Sequence, residues 1–122
     1  MTAADPIPGI RRIVRVQDLS GDPLDIATYE AAHRPGATPK EVLDAQRRHG
    51  IVDLEIFRFA TRLVMIMTVS EDFDPDGLDQ ASATEPALID WHRRMSALQR
   101  RPAGAGSDWP EAEPIFRQSD HG

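Results

Sequence analysis

Residues 10 to 18 read IRRIVRVQD, with Ile10, Arg12, Val14 and Val16 at one parity and Ile13, Arg15 and Gln17 at the other, the period-two signature of a strand. The period then changes. Asp22, Pro23 and Asp25 mark a helix start: an aspartate can accept from a first-turn amide, proline leaves no amide unpaired there, and acids suit the positive end. This helix is expected to reach about His33, before Pro35 and Gly36 halt it. Thr38, Pro39 and Glu41 predict a capping box for a second helix over PKEVLDAQRRHG, with Gly50 as its left-handed stop.

Two β runs follow, IVDLEIFRF and RLVMIMTVS, separated only by Ala60 and Thr61, which predicts a hairpin. Leu63 to Val69 is apolar at both parities, as in a central strand. In the first run Asp53 and Glu55 share a face with Phe57, so a carboxylate points into an apolar surface or faces solvent at a sheet end. EDFDPDGLDQAS is a polar turn leading to a short helix. Thr84 is expected to cap a longer one, with Pro86 in its first turn and Leu88, Trp91, Met95 and Leu98 as its apolar stripe. Arg93, Arg94, Arg100 and Arg101 toward its C-terminal half read as a solvated face that complements the macrodipole. RPAGAGSDWP is a connector without periodicity, Ile115 and Phe116 predict a short closing strand, and the tail from Gln118 is expected to fray.

The order β-α-α-β-β-α-α-β predicts a ferredoxin-like α+β sandwich, an antiparallel sheet with its helices on one face. The other face needs cover. In a chain this small, with strands apolar on both sides, a second copy is the expected cover, giving a two-fold homodimer of packed sheets. At 122 residues and 40% hydrophobic, one domain with one modest core is expected over residues 1–122.

Composition removes several function classes. A net charge of −6 argues against a duplex-binding surface, so nucleic acid is not an expected partner. With no cysteine there is no disulfide frame, thiolate metal site or thiol nucleophile. No apolar run approaches membrane-span length and MTAADPIPGIRR lacks signal-peptide order, so the expectation is a cytoplasmic protein without a membrane partner.

The candidate chemistry centres on Tyr29 and His33 in YEAAHRPG. Spacing of four places a phenol and an imidazole on one helix face, one turn apart and close to the helix end. Imidazole both gives and takes a proton near neutrality, so an acid/base site fits the pair, and so does a half-buried packing pair. Trp91 and His92 form a second candidate: an indole can lie against the apolar face of a sugar while a ring nitrogen meets a hydroxyl. A surface histidine beside a core tryptophan fits equally. His33, His49, His92 and His121 show no metal-ligand spacing on a shared helix face, so no metal is expected.

The succession Tyr29-x-x-x-His33-x-Pro35-Gly36, EVL at 41–43, HGIVDLEIFR at 49–58, RLVMIM at 62–67, DWHRRM at 90–95 and a final Trp109, Ile115 and Phe116 resembles the L-rhamnose mutarotase family, most closely its L-fucose mutarotase branch. The likeness spans about residues 11 to 117 and rests on the ordered set. It implies a dimeric α+β barrel that interconverts the α and β anomers of a 6-deoxy-L-sugar without metal or organic cofactor. By the same resemblance His33 is the proton donor, Tyr29 the substrate-contacting tyrosine, and Trp91 and His92 the ring pair presented to the sugar. Leu54 stands where the rhamnose enzymes carry a further tyrosine, Glu55 supplies the adjacent acid of the fucose-like branch, and Pro39 replaces an indole that the branch tends to carry. Small dimeric α+β barrels also serve as cofactor-free monooxygenases, and a non-catalytic sugar-binding module is a third reading.

Overall fold

Alternation in β1 (Arg11–Leu19) sends Ile13, Gln17 and Leu19 into the protein, while Val14 and Val16 remain half-buried on the other side. The computed structural model describes residues 9–122; the expected absence of signal-peptide order falls largely on residues 1–8, outside that range. After β1 come α1 (Pro23–Ala32), α2 (Lys40–Arg48), β2 (Ile51–Phe59), β3 (Arg62–Val69), α3 (Pro75–Thr84), α4 (Pro86–Leu98) and β4 (Gln99–Arg100). The sheet order is β2-β3-β1-β4, antiparallel throughout. This is the expected ferredoxin-like α+β order, with β3 inserted between β1 and β2.

Two helices fit into each crossover, and their buried residues meet the sheet. Tyr29, Val42, Ala45, Ala81, Leu88, Trp91 and Met95 pack with Leu19 and Leu63, and a smaller cluster joins Ile13, Ile51, Met67 and Val69. Full burial of one such aliphatic side chain contributes roughly 1.5–3 kcal/mol, so these two clusters hold the layers together.

Local signals act where the backbone geometry lets them. The Asp22 side chain accepts from the Leu24 amide at 2.9 Å and Pro23 opens α1, as its sequence predicts. Gly50 closes α2 at φ +95°, and a β-carbon there would lie 2.5 Å from the Phe73 Cα. That close approach joins the helix end to the β3–α3 loop, since the Asp74 main-chain amide donates to the His49 carbonyl at 2.8 Å.

Several local expectations are corrected. Thr38 forms no capping box: its hydroxyl donates to the Ala32 carbonyl at 2.9 Å, tying the end of α1 to α2, whose cap position is Pro39. Thr84 ends α3 and donates back to Gln80 at 2.9 Å, so α4 starts from Glu85 without a side-chain cap. Ile115 and Phe116 make no strand and are 96% and 71% exposed. The edge beside β1 is taken instead by β4, which begins directly after α4, and by Glu111, which bridges to Arg15. Arg100 and Arg101 consequently lie beyond the helix, and Gln118–His121 form one 3-10 turn. Among the described residues no helix is long and apolar enough to cross a membrane.

Candidate active site

Tyr29 and His33 occupy the last turn of α1 and its cap. The His33 amide turns to the Glu30 carbonyl at 3.1 Å, which leaves the Tyr29 carbonyl to the imidazole: Nδ1 lies 2.7 Å from it. A carbonyl only accepts, so Nδ1 carries the proton and donates, and the neutral ring presents Nε2 as a lone pair. Burial lowers the His33 pKa from its ordinary value, with the carbonyl bond acting weakly the other way. The ring is therefore neutral at pH 7.

The Tyr29 ring lies 4.3 Å from the imidazole, and the Trp91 ring meets that imidazole edge-on at 5.2 Å. Burial pushes the Tyr29 phenol up to about 12, only partly offset by Gln99, whose amide donates to the phenol oxygen at 3.3 Å. The hydroxyl thus stays protonated, with its oxygen already served by a donor. Trp91 is buried, carries the Arg94 guanidinium 5.3 Å from its ring centre, and still contributes to the cavity wall.

These side chains border a cavity of about 640 Å³, within the size range of small-molecule sites. The sequence candidates Tyr29, His33, Leu54, Trp91 and His92 all line it. His92 stands at the rim, its Nε2 3.1 Å from the Ser82 hydroxyl; desolvation lowers its pKa, opposed by the charge of Asp79. An adjoining hollow of about 260 Å³ shares Leu54, Trp91, His92 and Trp109 as walls and is otherwise largely apolar.

Glu55 is the exception. A bulge at Val52 shifts the parity of β2, so Leu54 and Ile56 face the helix layer while Glu55 is exposed and sits opposite Ile66 on the open face. It does not line the cavity. Phe57 shares that outward face, whereas Asp53, beside the bulge, still lines the cavity.

Gln46, Gln99, Asp108 and Trp109 join the cavity wall without having been singled out as site residues. Gln99 and Asp108 carried no periodic signal, since they lie at a helix end and in an aperiodic connector. Gln17 had one: a polar residue at the parity of Ile13. It is fully buried, with Nε2 3.2 Å from Asp108 Oδ1 and Oε1 3.4 Å from the Trp109 amide. A buried amide left unpaired would cost about 1–3 kcal/mol. Among the described residues no three His, Asp or Glu side chains gather to hold a metal ion.

A family model described as rhaM, L-rhamnose mutarotase, matches residues 12–118. The chain is 40% identical over 113 residues to an L-fucose mutarotase of Xanthomonas campestris pv. campestris, covering 91% of this chain and 90% of that protein. In three dimensions it is similar to tetracenomycin F2 cyclase from Streptomyces glaucescens, a type-II polyketide cyclase, with a TM-score of 0.58 and 18% identity over 88% of this chain and 95% of the other. At that identity the likeness concerns the fold alone.

Proposed function

The chain belongs to the L-rhamnose mutarotase family, and we propose that it interconverts the α and β anomers of a 6-deoxy-L-hexose, L-fucose before L-rhamnose, through His33 and Tyr29. The observation that carries the roles of these residues is the half-buried imidazole with its Nδ1 proton committed to the Tyr29 carbonyl and a neutral phenol beside it on the cavity wall.

Ring opening needs a proton taken from the anomeric hydroxyl and one delivered to the ring oxygen; the bond from C1 to the ring oxygen then breaks and an aldehyde forms. The lone pair at His33 Nε2 takes the first proton, so the imidazole acts first as a base, where the family resemblance implies a proton donor, and it gives that proton back on ring closure. The Tyr29 hydroxyl, whose oxygen already accepts from Gln99, directs its own hydrogen to the ring oxygen. Rotation about the C1–C2 bond and closure in reverse give the other anomer. Trp91 supplies an apolar wall for the sugar and His92 a hydroxyl contact at the rim, while Leu54 forms part of the floor. Glu55 has no part in this reading.

The protein works on a free monosaccharide in the cytoplasm as a homodimer in this reading. The sheet face turned away from the helices carries Val14, Val16, Val64 and Ile66, all half-buried, and Phe57, 52% exposed. A second copy packed on that face would cover it.

Saturation-transfer NMR of L-fucose tests the assignment. Anomer exchange is expected to accelerate with the protein and to fall by roughly a hundredfold to ten-thousandfold in kcat with His33→Ala. Unchanged exchange in a folded His33→Ala protein would remove the imidazole from the reaction.

A further inference from the structure

Gln17 occupies a position on the core face of β1 that its neighbours Ile13 and Leu19 fill with aliphatic groups, yet it carries an amide and is wholly enclosed. Both ends of that amide reach the same two residues of the distant C-terminal connector. Nε2 donates to Asp108 Oδ1, and Oε1 accepts from the Trp109 amide. Arg15, two residues back on the same face, donates from Nη1 to the Trp109 carbonyl at 3.2 Å. The backbone continues the attachment, with the Val16 amide donating to Pro110 and the Ala112 amide to Val14.

Trp109 has φ +51°, a left-handed conformation uncommon for an aromatic residue. Both polar atoms of its main chain are held by β1 side chains, and its indole enters the walls of the main cavity and of the adjoining hollow. Asp108 lines the main cavity at its rim and also receives Arg101 Nε at 3.3 Å. A core position that needed only packing would be met by a leucine or valine. An amide aimed at two cavity-lining residues does more than fill space.

We propose that Trp109 and Asp108 form a second monosaccharide-contacting wall, indole against the sugar's apolar face and carboxylate to its hydroxyls, and that Gln17 is the positioning residue that latches this wall to β1. This deepens the mutarotase reading and rests on it. Trp109 gives the site an aromatic surface besides Trp91. The latch acts on how the sugar is held and leaves the proton chemistry at His33 alone.

The test is L-fucose anomer exchange measured across sugar concentrations, with thermal melting as the check on folding. Gln17→Leu and Trp109→Ala are each expected to raise KM about tenfold while kcat stays within about twofold, the pattern of lost binding common to ground and transition states. Gln17→Glu sets a carboxylate against Asp108 and raises KM. Adding Asp108→Asn to it reverses donor and acceptor across the same pair, and KM should fall back toward that of Asp108→Asn alone. Should Gln17→Leu fail to fold, Trp109→Ala in the half-buried connector carries the decision with the glutamate–asparagine exchange. Wild-type activity with unchanged KM in both single variants would overturn the latch and leave the mutarotase reading standing. A wild-type protein inert toward every 6-deoxy-L-hexose would overturn both.

Discussion

His33 is held by three different forces, and each fixes a different property. The Tyr29 carbonyl sets the tautomer, the Tyr29 and Trp91 rings set the plane, and burial sets the protonation state. The last gives a pH prediction with a definite sign. A base whose folded pKa lies below the ordinary 6.5 stays active through neutrality, and kcat/KM should fall only as pH drops through that lowered value. Stability should move the same way. Between 6.5 and the lowered folded pKa the unfolded chain binds the proton and the native state does not, so stability from this histidine is lost as pH falls through that window. A pH–rate profile beside melting curves checks both, and an acid limb centred above 6.5 would contradict the buried, neutral ring. Spacing in the sequence placed Tyr29 and His33 together, but the tautomer and the depressed pKa come from a carbonyl freed at the helix end and from the layers packed over it.

At the scale of elements, the helix ends show which local signals survive packing. Asp22 caps α1 as its residue type dictates, whereas Thr38 and Thr84 spend their hydroxyls on carbonyls of the preceding helix. Both threonines offered the same local options; the direction of the incoming chain chose between them. Gly50 is the clearest demand of one element on another. Gly50→Ala combines a left-handed backbone with a clash against the Phe73 main chain, and a loss of about 1–3 kcal/mol is expected, read as a lower urea midpoint. Strands β2 and β3 were legible because their alternation and tight turn are local. Strand β4 was not, since Gln99 and Arg100 pair only because α4 delivers them to the edge of β1, and Ile115 and Phe116 have strand-forming side chains but no such delivery.

For the molecule as a whole, the sheet has one covered and one open face. The covered face builds the cavity between sheet and helices, and the open face carries Phe57 among half-buried aliphatic groups. If a second copy seats there, Phe57→Glu should shift the protein from dimer to monomer in sedimentation velocity while the far-UV spectrum is kept. A Phe57→Glu protein sedimenting as the wild type does would move the interface elsewhere. Since the open face lies across the sheet from His33, the monomer should keep its fold around the site.

Local patterning was enough for the order of elements from β1 through α4, the two strands of the hairpin, the ferredoxin-like class and the pairing of Tyr29 with His33, because period and turn residues act over a few positions. Tertiary structure alone decided that Glu55 leaves the site through a one-residue bulge, that Gln99, Asp108 and Trp109 enter it, and that Gln17 holds the last two from beneath. The placements of Gln99, Asp108 and Trp109 depend on contacts between residues 70 to 92 positions apart, at distances that no local pattern encodes.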